Sequence, residues 1–130
     1  MLAYLEAHIT MTVATVLDGQ PQAATLFYAN DGLDLVFVSD LATVHARAMV
    51  ASPGVAVTIS QDYPDWQAIQ GIQARGHAQV LEDAPPVYAR KFPFIAGFPA
   101  GSIRYWRITP TWLRLTDNTR GFAHKDELTL

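Results

Sequence analysis

The chain has 130 residues, half of them apolar and 16% charged, which is room for one domain with a real core but little charge for its size. Nine Lys and Arg against twelve Asp and Glu leave a net charge of −3, and the cations are scattered, which excludes the basic stripe of a general nucleic-acid binder. Without cysteine, disulfides, thiolate nucleophiles and cysteine metal sites are excluded as well.

The opening MLAYLEAHITM lacks the basic start and apolar run of a secretion signal. No stretch of ~18 apolar residues is present to span a membrane. The expected location is therefore cytoplasmic, with no membrane and no nucleic-acid partner. Sparse charge on so small a domain predicts that part of its surface is covered, most simply by a second copy of the chain.

In chain order, Leu2 to His8 predicts a short helix with Leu2, Leu5 and Ile9 roughly on one face. MTVATVL (Met11 to Leu17) is rich in β-branched residues and predicts a strand. Asp18-Gly19 is a hairpin signal. QAATLFYA (Gln22 to Ala29) predicts a second strand, Asn30 to Gly32 a second turn, and LDLVFVS (Leu33 to Ser39) a third strand. These three predict an antiparallel meander. Thr43 to Ala51 fits a helix with Val44, Ala48 and Ala51 on one stripe, and Ser52-Pro53-Gly54 stops it.

VAVTIS (Val55 to Ser60) predicts a strand. A long one follows from about Trp66 to Leu81, where Gly71 and Gly76 signal a bend, a bulge or a close backbone approach. Ala84 to Phe92 predicts a helix that starts at its prolines. FPFIAGFPAGS is too apolar for a solvated loop and is expected to pack, most simply in a dimer interface. IRYWRIT and TWLRLTD predict two strands split by Pro110, and the tail adds a last short one. There is no βαβ rhythm. The predicted class is mainly β: a barrel of six to seven antiparallel strands with two to three short peripheral helices, as a single domain over residues 1–130.

HExxH, Walker, GxSxG and dinucleotide-glycine motifs are all missing. His8, His45, His77 and His124 are widely spaced, and no metal site is expected. The stretch SDLATVHARAM (Ser39 to Met49) has two local readings. One is an N-cap by Thr43 or Asp40, with His45 and Arg47 solvated. The other is an anion held on the free N–H groups of a helix start, with His45 and Arg47 as added donors.

The order MTVATV, ATLFY, a strand ending in VS, T-x-H-A-R opening a helix, then SPGVAVTI is similar to the pyridoxamine-5′-phosphate-oxidase-like family of flavin-binding split β-barrels. IQGIQARGHAQVLED resembles that family's long strand with its G-x-A element. ARKFPFIAG and YWRITPTWLRLTDNTRGFAHKDEL resemble its later segments, so the likeness covers nearly the whole chain.

The resemblance implies a homodimer with FMN at the interface. It implies that the strand of Ala24, Thr25, Leu26, Phe27 and Tyr28 runs beside the isoalloxazine ring. Val38, Ser39, Thr43, Val44 and His45 would hold the phosphate, with Arg47 as a substitute cation. Gln70 and Gly71 fall where the oxidases place a glutamine. The tail residues Asn118, Arg120, Phe122, His124 and Lys125 would reach a partner's flavin. Val44 and His45 stand where the oxidases carry basic residues, and no arginine opens the ATLFY strand. A phosphate dianion is then met by weaker donors.

The expected function is an FMN-dependent oxidoreductase acting on a small-molecule substrate that the residues do not name. No catalytic residue stands out, because the flavin itself carries the hydride or electron step. The alternatives are a flavin sensor or carrier, a haem protein with His45, His77 or His124 as axial ligand, and a cofactor-free structural dimer.

Overall fold

The computed structural model describes residues 1–130. Its elements are α1 (Leu2–Ala7), β1 (Thr10–Leu17), β2 (Gln20–Phe27), β3 (Ala29–Asp31), β4 (Asp34–Ser39), α2 (Val44–Ala51), β5 (Gly54–Ile59), β6 (Gln70–Leu81), α3 (Pro86–Lys91), β7 (Arg104–Asp117) and β8 (Lys125–Thr129). All strand pairs are antiparallel. They form one sheet in the order β2-β1-β5-β6-β7-β4-β3, with β8 also on β7. The class is mainly β, a curled split barrel with three short helices.

The expected meander of the first three strands is replaced by two hairpins at opposite ends of the sheet. The chain leaves β2 at Phe27, passes Tyr28 and starts β3 at Ala29. Tyr28 is fully buried and its hydroxyl donates to the Leu5 carbonyl at 2.6 Å. Its ring continues the inward alternation of Ala24 and Leu26, and its N–H still donates to the Ile9 carbonyl at 3.0 Å, so the chain leaves β1 just after it. Because one residue joins them, the two sheet edges meet at Tyr28, and this curls the sheet. The Asp18-Gly19 turn is as expected: φ values of 52° and 74° suit a two-residue hairpin.

Strict alternation fills the interior. Met11 and Val13 of β1, Val55, Val57 and Ile59 of β5, and Ile72 and Ala74 of β6 all point inward. They join Tyr4 and Leu5 of α1, Ala46 and Met49 of α2, and Trp106, Ile108 and Leu113 of β7 in one core. β4 is buried on both faces. Leu35 and Phe37 point into this core, while Val36 packs with Tyr88, Phe92 and Ile95 under α3. That explains its unbroken apolar run.

β6 starts at Gln70, and Trp66–Ala68 forms a separate 3-10 turn capped by Asp65. IRYWRIT and TWLRLTD are one strand, because Pro110 does not split β7. The β6–β7 register shifts between Arg75 and Gly76, and Gly76 faces Pro110. A Cβ on Gly76 would overlap the Thr109 carbonyl and come within 2.9 Å of the Pro110 Cα. At this bulge the missing proline N–H costs nothing in the ladder. Pro110 also marks the point where β7 changes its second partner from β4 to β8.

Candidate functional site

Apart from Ala24 to Tyr28 on and after β2, the predicted residues gather at two ends of the long strand β7. Ser39 pairs with Arg104 at its start. Gly71 pairs with Thr116 and Gln70 with Asp117 at its finish. The strand has 14 residues, roughly 45 Å at the usual rise per residue.

At the first end, β4 stops at Ser39 and the chain turns into α2. Asp40 organises the turn. Its carboxylate accepts the Ala42 N–H at 2.8 Å, and its carbonyl accepts the Thr43 N–H at 3.1 Å and the Thr43 hydroxyl at 2.9 Å. Thr43 is the N-cap and its Oγ1 accepts the Ala46 N–H at 3.2 Å. The first-turn amides of Val44 and His45 then have no intrahelical acceptor. The expected cap is there, with Thr43 capping and Asp40 shaping the turn, but His45 is not solvated as that reading had it: it is half-buried and bonded to Ser39. The helix itself begins at Val44.

Around that cap three side chains converge. Ser39 Oγ lies 2.6 Å from His45 Nε2 and 3.1 Å from Thr43 Oγ1, and Thr43 Oγ1 lies 3.3 Å from His45 Nε2. Ser39 is only 7% exposed. Burial holds the His45 imidazole below its ordinary pKa, which favours the neutral ring at neutral pH. The other expected members stand apart. Val44 is 42% exposed, and Arg47 is exposed and makes no ion pair. Val38 packs on the α3 side of the sheet, because alternation turns it away from Ser39. The expected Val44–Ala48–Ala51 stripe is corrected too. Ala46, Ala48 and Met49 are buried, since small alanines let α2 lie close on β1.

Ala24, Thr25, Leu26 and Phe27 lie on β2, an edge strand whose outer backbone groups have no ladder partner. Ala24 and Leu26 are half-buried, while Thr25 and Phe27 are exposed. The Phe27 ring contacts Phe92 and Phe94 with centroids 5.1 and 5.9 Å apart. Tyr28 follows the last residue of β2. It is sealed in the core beneath the Lys91 ammonium, 4.4 Å from its ring centroid.

At the second end is a groove of about 700 Å³ lined by Gln61, Tyr63, Gln70, Gly71, Arg114 and Lys125 among others. The tail folds back onto it. Asn118 donates through Nδ2 to the Trp66 carbonyl at 2.6 Å and through its backbone N–H to the Ile69 carbonyl at 2.9 Å. Its side-chain oxygen accepts the Ala123 N–H at 2.9 Å. Asn118 thus clamps the turn with both ends of its side-chain amide. Phe122 stands edge-on against Trp66 at 5.7 Å, and the two rings are 79% and 56% exposed.

Sequence reasoning missed a network behind this groove. The Tyr4 hydroxyl lies 3.0 Å from the Tyr63 hydroxyl and donates to the Gln70 carbonyl at 3.2 Å. His8 stacks on Tyr4 and reaches Gln61 Oε1 with its Nε2 at 3.0 Å. Tyr4 and His8 are one helical turn apart, but Gln61, Tyr63 and Gln70 lie more than fifty residues further on, and nothing in local spacing signals that contact.

A curled antiparallel split barrel with a polar cluster at a helix start defines the class of protein. The chain belongs to the pyridoxamine 5′-phosphate oxidase family, whose family model matches residues 1–117. A UPF0306 protein of Photorhabdus laumondii is 30% identical over 129 residues, covering 94% of this chain and 88% of that protein. Among solved structures, a heme binding protein from Mycobacterium smegmatis superposes with a TM-score of 0.77 at 20% identity, covering 98% of this chain and 56% of that one. A FAD-binding protein from Mesorhizobium loti gives 0.70 at 18% identity, covering 86% of each chain. No helix is long and apolar enough to cross a membrane.

The donor set at the start of α2 fits a phosphate in kind. It offers the Ser39 and Thr43 hydroxyls, the His45 imidazole and two helix-end amides. It contains no permanent cation.

Proposed function

We propose that this chain is an FMN-binding flavoprotein that works as a homodimer and serves as an oxidoreductase on a small molecule. The observation that carries the reading is the Ser39–Thr43–His45 cluster at the N-terminus of α2, set at the end of a strand in a family match over most of the chain. Ser39, Thr43, His45 and the amides of Val44 and His45 would hold the phosphate. The free edge of β2 from Ala24 to Phe27 offers backbone donors and acceptors to the polar rim of a planar heterocycle. When bound, the flavin supplies the hydride or electron-pair step, and the protein orients it and excludes water.

A second copy accounts for the placement of the other residues. In one chain Gln70, Gly71, Asn118, Phe122 and Lys125 lie at the far end of β7 from α2, so a partner has to bring one group to the other. The outer sheet face supports this. Across β1 and β5 it carries exposed or half-exposed Thr12, Ala14, Ala56 and Thr58 in register, small uncharged side chains that permit close packing.

The visible spectrum of the purified protein tests the cofactor. Flavin absorbance bands, or micromolar binding of added FMN, are expected. A colourless protein that binds no FMN would overturn the reading, and a Soret band would replace it with haem. Oxidation of a nicotinamide reductant by the loaded protein separates an oxidoreductase from a carrier. Sedimentation at low micromolar concentration is expected to give a dimer.

A further inference from the structure

We propose that His45 makes the anion site proton-linked: the site takes up a proton as a phosphate dianion enters, and so holds FMN more tightly at lower pH. This rests on the flavin reading and goes beyond it, because it says how a site without a lysine or arginine balances the dianion.

The geometry comes first. His45 Nε2 faces the Ser39 and Thr43 hydroxyls at 2.6 and 3.3 Å, so an anion that reaches those hydroxyls also reaches the imidazole. The surroundings offer no competing cation in contact with the cluster. On α2 itself, Arg47 is exposed. β1 and β2, which pack against α2, contain no titratable side chain. β6 contributes Arg75 and His77, both exposed and alternating away from the core. Glu82 and Asp83 are exposed in the turn after it. Arg104, opposite Ser39 in the ladder, spends its guanidinium on the Leu81 carbonyl at 3.3 Å. Asp40 is the nearest carboxylate in sequence, and it is bonded to the Ala42 amide.

The chemistry follows. In the free protein, burial lowers the imidazole pKa, so the ring is neutral at neutral pH. A dianion within a few ångströms favours the imidazolium instead, whose two ring nitrogens are both donors. Binding therefore carries one proton. Between the free and bound pKa values, one coupled proton makes affinity fall tenfold per pH unit as pH rises.

The test uses flavin fluorescence quenching by the purified full chain between pH 6.5 and 8.5, with FMN and with riboflavin, which lacks the phosphate. FMN's own second ionisation, near pH 6, is common to all variants, so the difference between profiles is what counts. The expected result is an FMN affinity that falls up to tenfold per unit in the wild type. It should be pH-independent in His45→Lys, whose charge is permanent, and weak and flat in His45→Gln. Riboflavin binding should not depend on pH. Calorimetry in two buffers of different ionisation enthalpy should show uptake of up to one proton per FMN and none per riboflavin. Parallel FMN profiles in wild type and His45→Gln would overturn the proton link and leave the flavin reading standing. Absence of binding by either flavin at every pH would remove both.

Discussion

The two ends of β7 show opposite kinds of surface. At its start the polar groups of Ser39, Thr43 and His45 are buried or half-buried and bonded to one another within one chain. At its finish two aromatic rings, Trp66 and Phe122, stand largely in solvent beside an open groove. The first is a small pre-organised polar cluster. The second is a surface whose apolar area favours something lying over it. The difference teaches that a strand can fix a finished site at one end and leave an unfinished one at the other, because hydrogen-bonded turns organise themselves while apolar faces need a neighbour.

Breaking the strand that spans both ends should have the largest effect. Gly76→Val pushes a side chain into Thr109 and Pro110 and should cost about 3 kcal/mol of stability, read by denaturant unfolding. Both ends should suffer together, so FMN affinity and dimer formation should fall in parallel.

Next in size, Thr43→Ala removes the N-cap bond to Ala46 and a hydroxyl of the cluster. It should cost about 1 kcal/mol of stability and weaken FMN binding with little change for riboflavin. That sharpens the comparison, because the loss belongs to one end only. At the other end, the double change Trp66→Ala and Phe122→Ala should alter monomer stability by about 0.5 kcal/mol or less, as exposed substitutions do. Its expected signature is weaker dimerisation in sedimentation. An unchanged dimer would show that this surface is not the covered one.

The smallest effect is a pH slope. The folded His45 imidazole lies below its ordinary value of 6.5, so the unfolded chain binds a proton that the folded chain resists. Stability should therefore fall as pH drops through and below 6.5 and be restored above it. His45→Gln should flatten that part of the stability profile.

Much of the architecture was legible in the residues. Asp18-Gly19 marks its hairpin because only a positive-φ pair fits the twist there. Thr43 marks a helix start, and Gly76 a bulge. The site was legible in part. Ser39, Thr43 and His45 lie within seven positions of one another, and a single cap brings them together. Arg47 and Val38 stand apart from the cluster, because the phase of a helix and the pleat of a strand decide which side they face. Pro110 was read as a break because its tolerance depends on Gly76, a partner more than thirty residues away.

The sequence by itself determined most of the elements, the mainly β class and the capped turn, since these rest on short-range sterics and alternation. Only the tertiary structure decided that the first three strands part company at Tyr28. It alone tied α1 to the groove through Tyr4 and His8, and it alone distributed the expected flavin-binding residues over the edge strand β2 and the two ends of β7. Those outcomes depend on which distant surfaces bury one another, and no local pattern of residues encodes that choice.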